Sequence, residues 1–154
     1  MENIKKLIDF DNSNVIFTGH SLGGIISTYL GIFYNRLVIT FSAPGEKHFF
    51  DLTNFDYNTN SNNIYHFGHD ADMITNGNCG NYCWSFGYTM NTQCHIGNSC
   101  IYEAKSKLNI SESLTSHKLQ YIIDNILPKW ETDFPTCIYN KKCNETQCNN
   151  WIYT

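Results

Sequence analysis

What this chain lacks narrows the choice before any motif is read. No stretch reaches the roughly 20 uninterrupted apolar residues that cross a bilayer. Met1 to Phe10 has the pattern of a short amphipathic helix and not of a secretory signal, so the chain as written carries no address. Positive charge never accumulates: Lys5-Lys6 and Lys141-Lys142 are isolated pairs, and a formal charge of -4 offers nucleic acid no electrostatic footprint. Disorder is excluded as well, because 42% hydrophobic and 15% aromatic residues over 154 positions suffice for one folded domain with a core. Cysteine is absent from the first half and then concentrated: Cys79, Cys83, Cys94, Cys100, Cys137, Cys143 and Cys148 all lie in the second. That density is typical of an oxidising compartment. Two glycosylation acceptors, Asn109-Ile110-Ser111 and Asn144-Glu145-Thr146, agree with passage through the secretory route.

The stretch Gly19-His20-Ser21-Leu22-Gly23-Gly24 is the most informative feature present. Gly-x-Ser-x-Gly places a serine on a sharp strand-to-helix turn, where small neighbours at Gly19 and Gly23 relieve a crowded backbone. The flanks supply the context that the pentapeptide needs. Val15 to Thr18 is a β-branched and aromatic run that reads as a buried strand. Leu22 to Phe33 is apolar, rich in small residues, and carries Leu22, Ile25, Ile26, Tyr29, Leu30 and Phe33 at helical spacing. Leu37 to Phe41 and Ile64 to Phe67 read as two further strands, so the intervening helix makes a parallel crossover. Asn54 to Asn63 is a polar surface loop, Cys79 to Cys100 a stapled hairpin or lobe, and Leu119 to Leu127 a last helix that Pro128 ends.

A serine hydroxyl attacks an ester only if a base takes its proton and a carboxylate fixes that base. The chain order nucleophile, acid, histidine leaves His95 and His117 as bases. His117, at a loop-to-helix junction, is favoured over His95, which a disulfide would hold in the lobe. Asp70 and Asp72 compete as the acid, both after the third strand, with Asp72 slightly preferred because Met73-Ile74 anchor it. Asp51 and Asp56 fall in polar loop sequence and read as solvated. The backbone N–H of Leu22, after the nucleophile, is the first oxyanion donor. Cys79, Cys83, Cys94 and Cys100 lack the paired Cys-x-x-Cys spacing of a zinc site, so they read as disulfides, and no metal is assigned.

Five stretches together carry a family resemblance. Gly19 to Gly24, Ala43-Pro44-Gly45-Glu46-Lys47, Tyr65-His66 through Asp72-Met73-Ile74, Gly87-Tyr88 to Cys94-His95-Ile96-Gly97, and Ser116-His117 resemble the class 3 lipases, and among them the autophagy-related vacuolar lipases. Cys148-Asn149-Asn150-Trp151 is similar to that family's cysteine-tryptophan finish, so the likeness covers almost the whole chain. The elbow is generic to hydrolases, whereas Ala-Pro-Gly-Glu-Lys and Cys-His-x-Gly are far more specific. The resemblance implies an α/β-hydrolase fold with a mostly parallel sheet and a disulfide-stapled lobe. It implies Ser21 as nucleophile, Asp72 as acid and His117 as base, with no cofactor. It also implies a triacylglycerol or phospholipid substrate met at a membrane surface, and a lumenal, vacuolar or lysosomal setting. Two departures are visible: Met73 follows Asp72 where the family has Pro, and Ser116 precedes His117 where it has Thr.

Members of that family carry an N-terminal anchor and a long segment before the elbow. The chain is therefore expected to be the C-terminal part of a longer protein, lacking the earlier strands, the lid and the second oxyanion donor. Residues 1–130 are expected to form that part of the hydrolase domain, including the Cys-rich lobe over 79–100, and 131–154 a Cys-containing tail. Two other readings fit the sequence: a truncated, inactive remnant, and a non-catalytic, disulfide-stapled binding module. The second leaves the elbow without a purpose.

Overall fold

A computed structural model describes residues 14–77 and 93–140. Four parallel strands in chain order, β1 (Ile16–His20), β2 (Leu37–Phe41), β3 (Ile64–His69) and β4 (Asn98–Tyr102), form one sheet. A fifth strand, β5 (Cys137–Tyr139), closes the β4 side antiparallel. Parallel neighbours need a crossover, and α1 (Leu22–Tyr34) supplies the first, joining β1 to β2. The short helix α2 (Lys47–Leu52) follows β2, and α3 (Ala104–Leu108) follows β4. This is an α/β fold with a mostly parallel sheet, and the C-terminal ends of its four parallel strands open onto one edge.

The sequence reading places β1, α1, β2 and β3 to within two residues, because each is a bounded apolar run. Two features differ, and a third lies beyond that reading. Asp51 belongs to α2, where it pairs with Lys47 and accepts from the Tyr57 hydroxyl, and is not in a loop. The last helix does not stop at Pro128: a single α-turn, α4 (Leu119–Tyr121), widens to π over Ile122–Ile126 and tightens to 3₁₀ over Leu127–Glu131. Proline is tolerated there because it sits at the start of the 3₁₀ turn, where its missing N–H would have no partner.

The third feature is the orientation of α1, which its helical spacing leaves open. Its buried residues are Gly24, Ser27, Thr28, Gly31 and Ile32, whereas Leu22 (63% exposed), Ile26, Tyr29 and Phe33 (61% exposed) face outward among the described residues. Close approach of helix to sheet decides this, since small side chains let the backbone of α1 reach β2. Ile32, Val38, Phe50, Ile64 and Ile96 then form one core, with Phe17, Phe49, Phe55 and Tyr57 packed against it. On the far side Ala71, Tyr102, Ala104, Ile122 and Ile126 form another. Ile32→Ala is therefore expected to destabilise by about 2 to 4 kcal/mol and Phe33→Ala by less than about 1 kcal/mol, measured as urea midpoints.

Cys100 leaves the expected cluster. Cys100 in β4 is bonded to Cys137 in β5, its direct partner in the strand register, so this bridge ties the segment after residue 131 to the sheet. Cys94 is also disulfide-bonded. Cys79, Cys83, Cys143 and Cys148, like Asn144, lie outside the described residues, as does most of the lobe expected over 79–100. Asn109 is exposed, in a left-handed conformation at the end of α3. No helix among the described residues is long and apolar enough to cross a membrane.

Candidate active site

Ser21 stands where β1 ends and α1 begins, with φ 56° and ψ -128°. A non-glycine residue at positive φ is strained by about 1 to 3 kcal/mol and persists only where its surroundings hold it. Here the Ser21 N–H donates to the Phe41 carbonyl at 3.1 Å, and the Gly24 N–H donates to the Ser21 carbonyl at 2.8 Å. A serine at this helix position ordinarily turns its hydroxyl onto the helix's own N–H groups. Ser21 makes no such cap, and its strained backbone leaves the hydroxyl directed elsewhere.

The glycine requirement differs in detail from the sequence reading. A Cβ on Gly19 would lie 2.2 Å from the Gly23 carbonyl oxygen, and one on Gly24 would lie 2.6 Å from the Ala43 Cβ. A Cβ on Gly23 would meet nothing within 4 Å among the described residues. The crowding that excludes side chains is thus at Gly19, where strand passes over helix, and at Gly24, where the helix meets the sheet.

Three side chains from distant parts of the chain converge at the edge. His117 Nε2 lies 2.9 Å from Ser21 Oγ, and His117 Nδ1 lies 3.0 Å and 3.1 Å from the two carboxylate oxygens of Asp72. Nδ1 must donate to a carboxylate, which leaves Nε2 with the lone pair that accepts the Ser21 proton. Asp72 is buried and His117 half-buried. Burial pushes the Asp72 carboxyl up, but its bonds to His117, Ser42 and Thr75 and the His117 charge outweigh that and hold it below the ordinary carboxylate range.

Each of the three is held by its neighbours. The Asp72 carboxylate also accepts the Ile74 N–H at 2.9 Å, the Thr75 N–H at 3.3 Å and the Thr75 hydroxyl at 3.0 Å. That turn is therefore built by Asp72 itself, with Met73 in place of proline. His117 rides on a 3₁₀ turn, Thr115–His117, laced to the β3 end. Ser116 Oγ donates to the Ala71 carbonyl at 2.6 Å, an interaction that needs only the hydroxyl a threonine would share. His69 Nε2 donates to the Ser116 carbonyl at 3.0 Å and His20 Nε2 to the His117 carbonyl at 2.9 Å. Burial lowers the pKa of both rings, which keeps them neutral donors. Leu22 is the first residue of α1, and an N–H there has no partner within the helix.

The other candidates have separate work. Asp70 accepts the Lys105 N–H at 2.8 Å and so starts α3, away from His117. His95 is engaged elsewhere, in a cluster that the sequence alone does not reveal. Glu46, His66 and His95 are all buried, with Glu46 Oε1 3.1 Å from His66 Nε2 and Glu46 Oε2 3.5 Å from His95 Nδ1. His66 Nδ1 lies 2.8 Å from the Thr40 hydroxyl, His66 Nε2 donates to the Ile96 carbonyl at 2.8 Å, and the Ile96 N–H donates to Glu46 at 3.1 Å. Burial pushes the Glu46 carboxyl up, yet the charge and bonds of His66 and His95 hold it at about 2. Burial likewise opposes the His95 charge, and the Glu46 carboxylate raises its pKa above the usual histidine value. The available signal was that Glu46 and His95 sit in the two most specific stretches, Ala43 to Lys47 and Cys94 to Gly97. In the fold those stretches meet, with the Lys47 N–H donating to the Cys94 carbonyl at 3.1 Å.

No protein-family model matches the chain. Three curated relatives, each named "Putative lipase ATG15", are similar to it. That of Debaryomyces hansenii is 32% identical over 99% of the chain and 25% of its own length. That of Scheffersomyces stipitis is 33% identical over 99% of the chain and 25% of its own length. That of Saccharomyces cerevisiae is 30% identical over 96% of the chain and 29% of its own length. The chain spans about a quarter of the length of the curated relatives it matches. Along nearly its whole length the chain is similar to a stretch of the autophagy-related lipases, the resemblance that its own motifs carry.

Proposed function

We propose that this chain carries the nucleophile, base and acid of a serine lipase that hydrolyses acyl esters of triacylglycerol, phospholipid or both. The observation that carries this is the continuous row from Ser21 Oγ through His117 to Asp72. Ser21 Oγ attacks the ester carbonyl while its proton passes to His117 Nε2. Asp72, kept ionised, steadies the resulting imidazolium and holds the ring in one tautomer. The Leu22 N–H, on the turn beside Ser21, faces the developing oxyanion. His117 then gives its proton to the leaving alcohol oxygen. In the second half water attacks the acyl-serine, again through His117, and the fatty acid leaves. No metal or cofactor takes part in this scheme.

The relatives' names support a role in autophagy, and the disulfide-bonded cysteines suit a lumenal setting. We assign the chain to lysis of autophagic bodies and breakdown of membrane lipid in the vacuole or lysosome, with the membrane surface met through the substrate. The test is fatty-acid release by purified protein from triacylglycerol emulsion and from phosphatidylcholine vesicles. Release that disappears in Ser21→Ala is expected from at least one of the two. Release unchanged by that substitution, or none from folded protein, would contradict the reading.

A further inference from the structure

The buried Glu46, His66 and His95 cluster plays no part in the proton relay, yet it adjoins it. Thr75 is the link. His95 Nε2 donates to the Thr75 carbonyl at 2.9 Å, while the Thr75 N–H and hydroxyl donate to Asp72 at 3.3 Å and 3.0 Å. One short segment is thereby gripped on one side by His95 and on the other by the carboxylate that orients His117.

The hydrogen positions in this cluster follow from its partners. His66 Nε2 faces two acceptors, Glu46 and the Ile96 carbonyl, so it carries the proton and has no lone pair to give a cation. His95 Nε2 faces a carbonyl and must donate, and His95 Nδ1 faces the Glu46 carboxylate. Thr40, His66, the Ile96 backbone and one Glu46 oxygen bond to one another, while the second Glu46 oxygen and His95 Nδ1 face each other at 3.5 Å with no other hydrogen-bond partner among the described residues. A cluster this deep and this far from solvent is expensive to maintain unless it fixes something.

We propose that Glu46 and His95, braced by His66, are positioning residues for the Asp72–His117 pair, acting through Thr75. This inference rests on the lipase reading for its kinetic consequence, though the geometry it concerns is testable without turnover. The carboxylate of Glu46 fixes the ring of His95, which pins the Thr75 carbonyl, and the pinned turn presents two donors to Asp72. When the pin is lost, the turn and its carboxylate shift relative to His117 while the lipid-facing surface is untouched. The consequence belongs in kcat and not in KM, and it exists only while Asp72 is there to be positioned.

The experiment is a double-mutant cycle on the intact chain with a p-nitrophenyl ester as substrate. His95→Phe is expected to lower kcat about 10- to 100-fold with KM unchanged, the scale set by sub-ångström misplacement of a catalytic group. In an Asp72→Asn background the same substitution is expected to cost less than about threefold, because coupled residues are non-additive. His95→Gln, which keeps an N–H for the Thr75 carbonyl, should recover most of the rate. Equal effects in both backgrounds, or a change confined to KM, would overturn the proposal. Should His95→Phe fail to fold, Glu46→Gln carries the same cycle, since it keeps the side-chain volume and an acceptor for the Ile96 N–H. The low-field proton resonance of the His117 Nδ1–H bond gives a readout independent of turnover. It is expected in the unsubstituted chain and to broaden or vanish in Glu46→Gln. An unchanged resonance there defeats the positioning role alone, whereas a chain with the resonance but no esterase activity defeats the lipase reading alone.

Discussion

Asp72→Asn is expected to reduce kcat for ester hydrolysis by about four orders of magnitude while leaving a folded protein. Asparagine keeps one carbonyl oxygen for the Ile74 and Thr75 N–H groups, so the turn that Asp72 builds can persist. It also places an amide N–H where His117 Nδ1 now donates, and two donors facing one another force the ring into the other tautomer. Nε2 then carries the proton and cannot accept one from Ser21 Oγ, 2.9 Å away. The check is kcat with thermal melts of both proteins. Loss of rate without loss of melting temperature fits the account, and a fall of less than tenfold contradicts the role given to Asp72.

Glu46→Ala is expected to destabilise the fold by about 3 to 5 kcal/mol, because it strands His95 beside an uncompensated cavity. Against a total stability of about 5 to 15 kcal/mol, such a loss leaves the chain marginal or unfolded. The wild-type pair also sets a pH window. Glu46 is lowered from 4.5 to about 2, so its contribution is complete above pH 4.5 and is lost as pH falls toward 2. His95 is raised above 6.5, so its contribution is complete below pH 6.5 and is lost as pH climbs through its folded value. The two together are fully present between about pH 4.5 and 6.5. Urea midpoints measured across pH should show that plateau, and Glu46→Gln should flatten its acid side.

The parts of this molecule legible in the sequence are those specified locally. Val15 to Thr18, Leu37 to Phe41 and Ile64 to Phe67 are short apolar runs whose ends are marked by turn residues, and the elbow between the first two is set by Gly19 and Ser21. β4 and β5 are not legible because their apolar runs, Cys100-Ile101-Tyr102 and Cys137-Ile138-Tyr139, are only three residues long, and Asn98 and Ser99 add no apolar signal. The direction of α1 is not legible for a related reason. Periodicity locates an apolar stripe, but only the proximity of β2 makes the small-residue stripe the one that is buried. Helix widening over Ile122–Ile126 likewise has no local signature.

The site divides in the same way. Ser21 is readable from its own neighbours, and the order of acidic and basic residues along the chain, with the family resemblance, singles out Asp72 and His117. What holds them is not readable. Glu46, His66 and His95 lie in three separate segments, and each alone passes for an ordinary polar side chain. Only the parallel register that aligns the ends of β2 and β3, with β4 alongside, brings those segments into one buried cluster.

The central claim is that Ser21 is a nucleophile activated by His117. Its most direct measurement is adduct formation with a fluorophosphonate, which reacts with an activated serine hydroxyl and requires no knowledge of the natural lipid. Mass spectrometry of the treated, folded protein is expected to place one adduct on Ser21, absent from Ser21→Ala and strongly slowed in His117→Ala. Folded protein that remains unlabelled, or that is labelled equally after Ser21→Ala, would contradict the account.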